Sequence, residues 1–112
     1  MRLYSDIRIY GNSSFGYTPG IGSYLNDDNY RPRWARSGDN VVVYGVFAVG
    51  IAPTENKVIL TGFPKPYSHT WISVFEMGTM IGREVYLNAN GEIMSGSIPQ
   101  GNYKINFCYR AK

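Results

Sequence analysis

The side chains that most often carry out catalysis are few in this sequence, and they do not form a recognisable catalytic pattern. The 112 residues include 8 Asp and Glu, a single His, His69, and a single Cys, Cys108. Glycosidases of the usual kind need a pair of carboxylates that face one bond, whereas the acidic residues here fall in turns or on solvated strand faces. His69 has no second ligand at a spacing typical of metal sites. His69 and Cys108 would form a nucleophile pair only if the fold brought them together by chance. We therefore predict a protein without enzymatic activity, cofactor or metal ion.

Glycines and arginines are the other residues whose spacing suggests chemistry. Gly16, Gly20 and Gly22 do not form a phosphate-binding loop, because no helical pattern and no Lys-Ser or Lys-Thr follows them. Arginines surround Trp34 within residues 31–36, and a basic aromatic platform of this kind binds single-stranded nucleic acid on OB-type barrels. The alternative, which we favour, is a solvated edge strand whose Trp packs in the core. The net charge of +3 is also too small to indicate a nucleic-acid partner by itself.

Aromatic side chains are the compositional feature with the clearest bearing on function. They make up 15% of the residues, and 10 of them are Tyr. A Tyr side chain has a flat apolar face and a polar hydroxyl, which suits saccharide recognition and subunit interfaces equally well. Composition alone does not separate these two uses.

Several of these rings lie where they can bind a saccharide. Such a site requires an aromatic face beside groups that recognise hydroxyls, and loops held by a rigid sheet carry these groups best. The segment Tyr67-Ser68-His69 follows a Pro-Lys-Pro turn and is polar enough to be exposed. We predict a weak saccharide contact there, made useful by several copies acting together. Strand-borne Trp usually packs inward, so we favour a core position for Trp34 and Trp71 while keeping both as candidates. The candidate saccharide-binding residues are Tyr67, His69, Trp71, Tyr17, Tyr24 and Trp34.

The elements that must position these side chains are strands. Residues 2–10 and 102–110 alternate with period two, which is typical of half-buried strands. Residues 41–49 are apolar on both faces, which predicts a central strand covered on both sides. Asn90-Gly91 supplies the positive φ angles that a tight hairpin requires, and residues 11–29 read as a long aromatic loop. The remaining predicted strands are 30–36, 56–63, 69–77, 83–88 and 92–95.

About eight strands at this spacing predict an all-β antiparallel sandwich or barrel in a single domain, residues 1–112. The one Cys excludes an internal disulfide. The apolar run at 40–54 is too short to span a bilayer, and residues 1–10 lack the apolar run of a secretory signal, so we expect the protein to stay in the cytosol where it is made. The predicted core is Val41, Val43, Phe47, Val49, Val58, Leu60, Ile72, Val74, Ile105 and Phe107.

Three segments carry strand and turn patterns that resemble a known family. Residues 34–45 hold an aromatic residue, a basic residue, a Gly and then a Val-rich strand that ends at a Gly, and residues 60–66 hold Gly-Phe-Pro. Residues 85–93, with the terminal run 103–109, form a strand, an Asn-Gly turn and strands that end in Tyr. Together they resemble the small β-domains at the C-terminal tips of bacteriophage tail fibres and baseplate receptor-binding proteins. The resemblance covers residues 30–112.

The resemblance implies a β-sandwich or jelly-roll-like head at 30–112, preceded at 1–29 by an N-terminal strand and the long aromatic loop. Such a head forms a homotrimer, is displayed on a virion after assembly in the host cytoplasm, and contacts host cell-surface saccharide and other virion proteins. It neither binds nucleic acid nor inserts into a membrane. Two alternatives stay open: a structural virion component without a ligand, such as a capsid decoration, head fibre or tail assembly protein, and an OB-type single-strand nucleic-acid-binding protein.

Overall fold

The described part of the chain consists of β-strands and the turns between them. The computed structural model describes residues 9–15, 31–50, 52, 56–96 and 98–112. Every strand pairing among them is antiparallel, which confirms the predicted all-β antiparallel class. The strands are β1 Ile9–Asn12, β2 Ser14–Phe15, β3 Arg33–Ser37, β4 Asn40–Val49, β5 Val58–Thr61, β6 Thr70–Glu76, β7 Gly82–Leu87, β8 Ile93–Met94 and β9 Gly101–Arg110.

These strands hydrogen-bond into one curled sheet in the order β1-β3-β4-β9-β6-β7-β8-β5-β2. The two outermost strands of this order, β1 and β2, are consecutive in the chain and separated only by Ser13. Since β1 pairs with β3 and β2 pairs with β5, residues 9–15 connect the two edges of the sheet. The described chain is therefore closer to a barrel than to two separate packed sheets.

The place where the two edges meet, which we call the seam, is held by Gly11, Ser13, Pro32, Trp34 and Gly62. Ser13 is fully buried, and both its backbone N–H and its hydroxyl donate to the Pro32 carbonyl oxygen, at 3.0 and 2.7 Å. The Trp34 indole Nε1 donates to the Gly62 carbonyl oxygen at 3.0 Å. A Cβ atom at Gly11 would overlap the Trp34 ring, so only glycine allows the indole to approach β1 this closely.

The inner face of the curled sheet supplies the core. All the predicted core residues are buried except Val58 and Phe107, which are half-buried. A bulge explains Val58: it pairs with Met94, whereas Leu60 pairs with the neighbouring Ile93. The extra residue in β5 allows both Ile59 and Leu60 to be buried, while Val58 stays half-buried. The buried hydrophobic residues that were not predicted are Ala48, Ile59, Phe63, Val85, Leu87, Ile93, Ile98, Tyr103, Tyr109 and Ala111.

Strand β4 occupies the predicted central position, between β3 and β9. Its Val41 and Val43 side chains are completely buried on the inner face. The prediction that both faces are covered is wrong for the first half of the strand, since Val42 and Tyr44 on the outer face are 43% and 40% exposed. A curled single sheet has only one enclosed face, so alternate residues of an apolar strand remain at the surface.

The predicted hairpin joins β7 to β8. The Asn88 N–H donates to the Glu92 carbonyl oxygen at 2.9 Å, and the Gly91 N–H donates to the Asn88 carbonyl oxygen at 3.1 Å. Gly91 has a φ of 79°, as predicted, but Asn90 does not have a positive φ. The loop is one residue longer than a two-residue hairpin, so only the residue after its type I turn adopts the left-handed conformation.

The other strands differ from their predicted bounds mainly at the ends. Most of the predicted first strand, 2–10, and of the predicted loop, 11–29, lies outside the described residues. The described part of that loop forms the end of β1 and all of β2. In the part of the chain that the structure describes, no helix is long and apolar enough to cross a membrane.

Candidate functional site

The six candidate saccharide-binding residues have different surroundings. Tyr17 and Tyr24 lie outside the described residues. Trp34 packs against the core and its Nε1 is bonded within the seam, so its role there is structural. Tyr67, His69 and Trp71 are exposed, and they lie in two neighbouring groups of side chains.

His69 and Trp71 belong to an exposed group that we call the aromatic platform, which is completed by Tyr86. Trp71 faces Tyr86 across the β6–β7 pair. The centroids of these two rings are 4.8 Å apart, with a 62° angle between their planes. The His69 ring also contacts Tyr86, with a centroid distance of 5.2 Å and an angle of 35° between the planes. Ile72 and Val74 of β6 are buried, so the strand alternation turns Trp71 outward, where 64% of its surface is exposed.

A shallow depression of about 260 Å³ adjoins the aromatic platform. Its walls are Trp71 and Tyr86 together with Val85, Asn56 and Gly96. The Asn56 side-chain oxygen accepts from the Gly96 N–H at 2.8 Å, which fixes the orientation of this amide. The depression thus combines an exposed indole with a positioned polar group, the combination that orients a small ligand on an apolar surface.

Tyr67 lies beside the end of β9 rather than in the aromatic platform. Pro66 forms an isolated antiparallel bridge with Ala111, and the Tyr67 N–H donates to the Arg110 carbonyl oxygen at 3.1 Å. The Arg110 guanidinium carbon is 5.8 Å from the centre of the Tyr67 ring. We predicted that Tyr67 and His69 contact a saccharide together. In the structure Tyr67 lies beside Arg110, whereas His69 lies beside Tyr86.

Two other tyrosines are structural. Tyr109 is buried next to the bridge and its hydroxyl donates to the Pro64 carbonyl oxygen at 2.7 Å. Tyr103 is completely buried and its hydroxyl donates to the Pro99 carbonyl oxygen at 2.6 Å. Burial raises the pKa of both hydroxyls above the usual value, although Arg36 slightly opposes the shift at Tyr109. Both therefore remain protonated donors at neutral pH.

The described residues contain no group of three or more His, Cys, Asp and Glu side chains that could hold a metal ion. Cys108 is exposed and forms no disulfide. It lies on the outer face of β9, opposite Val42. None of these observations tests the predicted absence of enzymatic activity, which stays a prediction.

Comparison with known proteins does not place the chain in a family. No protein-family model matches the sequence, and no curated protein matches it. Its function must therefore be inferred from the side chains at the surface and from the pattern of strands and turns.

Sequence reasoning missed three residues of these groups: Tyr86, Asn56 and Arg110. The alternation of residues 83–88 gives Tyr86 an outward direction, and that of residues 102–110 does the same for Arg110. Neither pattern shows which strand is the neighbour, because that depends on pairing between distant segments. No sequence signal distinguishes Asn56 from other loop asparagines.

Proposed function

We propose that this protein is a non-enzymatic saccharide-binding head of a bacteriophage virion, which contacts host cell-surface saccharide from a tail tip. The observation that carries the proposal is the exposed Trp71 of the aromatic platform. Large aromatic side chains left on a sheet surface beside other rings are typical of binding surfaces. The resemblance of residues 30–112 to tail-tip domains supports the virion assignment.

The aromatic platform suits a saccharide in its geometry. The indole of Trp71 offers a flat surface to the apolar C–H face of a sugar ring, and the edge-to-face contact with Tyr86 limits its movement. A side chain that is already ordered loses little entropy on binding. The His69 imidazole and the Asn56 amide supply polar groups at the border for the sugar hydroxyls. A surface this open is expected to bind with a Kd of about 1 mM per site. Several copies that bind together raise the overall affinity by avidity.

The change Trp71→Ala tests the platform. We expect it to weaken binding by about tenfold, because it removes the stacking surface, and to leave the fold intact, because the ring is 64% exposed. The measurement is a glycan array of bacterial surface saccharides, followed by adsorption of labelled protein to cells that carry the glycan found.

Phe75→Ala is the matched control for this change. Phe75 lies on the same face of the same strand, is 43% exposed, and is outside the aromatic platform. Equal binding by the Trp71→Ala variant and the unaltered protein would contradict a role for the platform. An array with no bound glycan at all would instead favour the structural virion component.

We also propose that the protein is a homotrimer. Two exposed apolar areas are available for contacts between subunits: Val42 and Tyr44 on β4, which border a depression of about 530 Å³, and Met77 and Met80 in the β6–β7 turn. Light scattering is expected to give three times the 12.6 kDa chain mass. Val42→Lys and Met80→Lys each place a charge in one of these areas, and the variant that dissociates the trimer identifies the area buried between subunits. A monomer of the unaltered protein at high concentration would contradict the proposal.

A further inference from the structure

A basic surface lies next to the aromatic platform, where the segment before β6 pairs with the end of β9. We call it the basic corner and define it as Lys65, Tyr67, Arg110 and Lys112. The Lys112 N–H donates to the Lys65 carbonyl oxygen at 2.9 Å, and the Tyr67 N–H donates to the Arg110 carbonyl oxygen at 3.1 Å. Residues opposite each other in an antiparallel pair point to the same side, and all four side chains are exposed.

One of the three cations of the basic corner has an acidic side-chain partner, and Arg36 donates to the Lys112 carbonyl oxygen at 2.6 Å. Asp39 pairs with Arg110 at 3.3 Å. Within the described ranges, no carboxylate forms an ion pair with Lys65 or Lys112. Like charges that face each other across a strand pair are unfavourable, so a bound anion would stabilise this arrangement.

Arg110 is oriented to accept such an anion. Its guanidinium lies over the Tyr67 ring, and its Nη2 donates to the Asp39 carboxylate. Its Nε and Nη1 make no hydrogen bond with any other described residue. Nη2 carries a second N–H that can act together with either Nε or Nη1. The guanidinium therefore keeps one edge for a carboxylate, in a paired geometry that lysine cannot reproduce.

The space beside Arg110 fits a sugar ring. A depression of about 480 Å³ is lined by Tyr67, Ser68, Thr70, Cys108, Tyr109 and Arg110. Tyr67 offers an exposed aromatic face, and Ser68 offers a hydroxyl next to it. An anion with an apolar face and hydroxyl groups uses all of these features, whereas a bare inorganic anion uses only the charge.

We infer that the basic corner is a subsite for a carboxylated saccharide, in which Arg110 binds the carboxylate and Tyr67 stacks on the ring. This inference rests on the proposed saccharide-binding function and extends it. Tyr67 is two positions before His69 of the aromatic platform, so their Cα atoms are at most roughly 7 Å apart. One oligosaccharide can therefore cover both the platform and the corner, with Lys65 and Lys112 beside its next acidic unit.

The test uses a galacturonic acid tetramer and its methyl ester, in which a methyl group replaces the negative charge of each carboxylate. Isothermal titration calorimetry with the full chain is expected to show about tenfold tighter binding of the acid than of the ester, the scale of one charge-assisted hydrogen-bonded contact. Arg110→Gln is expected to remove most of this preference, and the remainder is assigned to Lys65 and Lys112. Lys104→Gln, which removes one charge from the same face of the same strand, is expected to keep the preference.

The outcomes separate this inference from the proposed function. Equal binding of acid and ester, abolished by Trp71→Ala, would overturn the acidic subsite and leave the saccharide-binding function in place. Failure of both tetramers to bind would overturn the inference, and an empty glycan array would overturn the proposed function as well. Tighter, Arg110-dependent binding of a phosphate-bearing glycan or of a single-stranded oligonucleotide would also overturn it, in favour of a phosphate ligand.

Discussion

Replacing Gly91 with alanine is expected to destabilise the protein by about 3 kcal/mol, the sum of a backbone cost and a steric cost. Gly91 has a φ of 79°, which L-residues with a Cβ adopt at a cost. A Cβ atom at this position would also overlap the Phe63 carbonyl oxygen. That oxygen belongs to the backbone, so it cannot move aside by a change of rotamer, and the β7–β8 hairpin would have to move away from the segment after β5.

Gly78→Ala is the control that separates the two costs. Gly78 has a φ of 96°, and a Cβ atom there would have no neighbour within 4 Å. Its replacement is expected to cost only about 1 kcal/mol, the backbone contribution. Urea unfolding of the two variants measures the difference, and equal losses would show that the contact with Phe63 does not constrain the hairpin.

Trp34→Ala is expected to destabilise the protein by about 3 kcal/mol, at the low end for removal of a large aromatic side chain because Trp34 is half-buried. The indole packs against the core, covers Gly11 and bonds to Gly62 across the seam. Its loss would therefore loosen the contact between the two edges of the sheet. The unfolding midpoint in urea is again the measurement.

Trp34→Phe keeps most of the apolar contact and removes the Nε1 hydrogen bond, so its expected cost is about 1 kcal/mol. Saccharide binding per folded molecule is expected to be unchanged in both Trp34 variants, because the indole is committed to the seam. A loss of saccharide binding without a loss of stability would contradict this assignment and show that Trp34 contacts the saccharide.

The parts of the fold that follow from local alternation could be predicted. Residues 102–110 place Tyr103 and Ile105 on one face and Lys104 and Asn106 on the other, and the structure buries only the first pair. The same alternation in β6 separates Ile72 and its buried neighbours from Trp71. The pattern was therefore a better guide to the exposure of Trp71 than the general tendency of Trp to be buried.

The parts that depend on pairing between distant segments could not be predicted. The bulge in β5 changes the register at Val58, which was predicted to be buried and is half-buried, and only the pairing with β8 reveals it. Likewise, the contacts of Trp71 with Tyr86 and of Tyr67 with Arg110 join segments whose neighbours the sequence does not specify. The exposure of Tyr67 and His69 could thus be predicted, the core position favoured for Trp71 was wrong, and the partners of these side chains could not be predicted.

The pairing of β4 with β9 has a consequence for the protein during its synthesis. The two strands pair along their whole length, from Asn40 with Arg110 to Val49 with Gly101, yet the ribosome completes β4 long before β9. In that interval an apolar, Val-rich strand has an unpaired edge, which is the kind of segment that associates with other chains. Pairing over so long a separation is also slow, on the order of milliseconds to seconds. We therefore expect the yield of native protein in cells to rise when chaperones cover the nascent chain, or when a low temperature slows its aggregation, until β9 emerges.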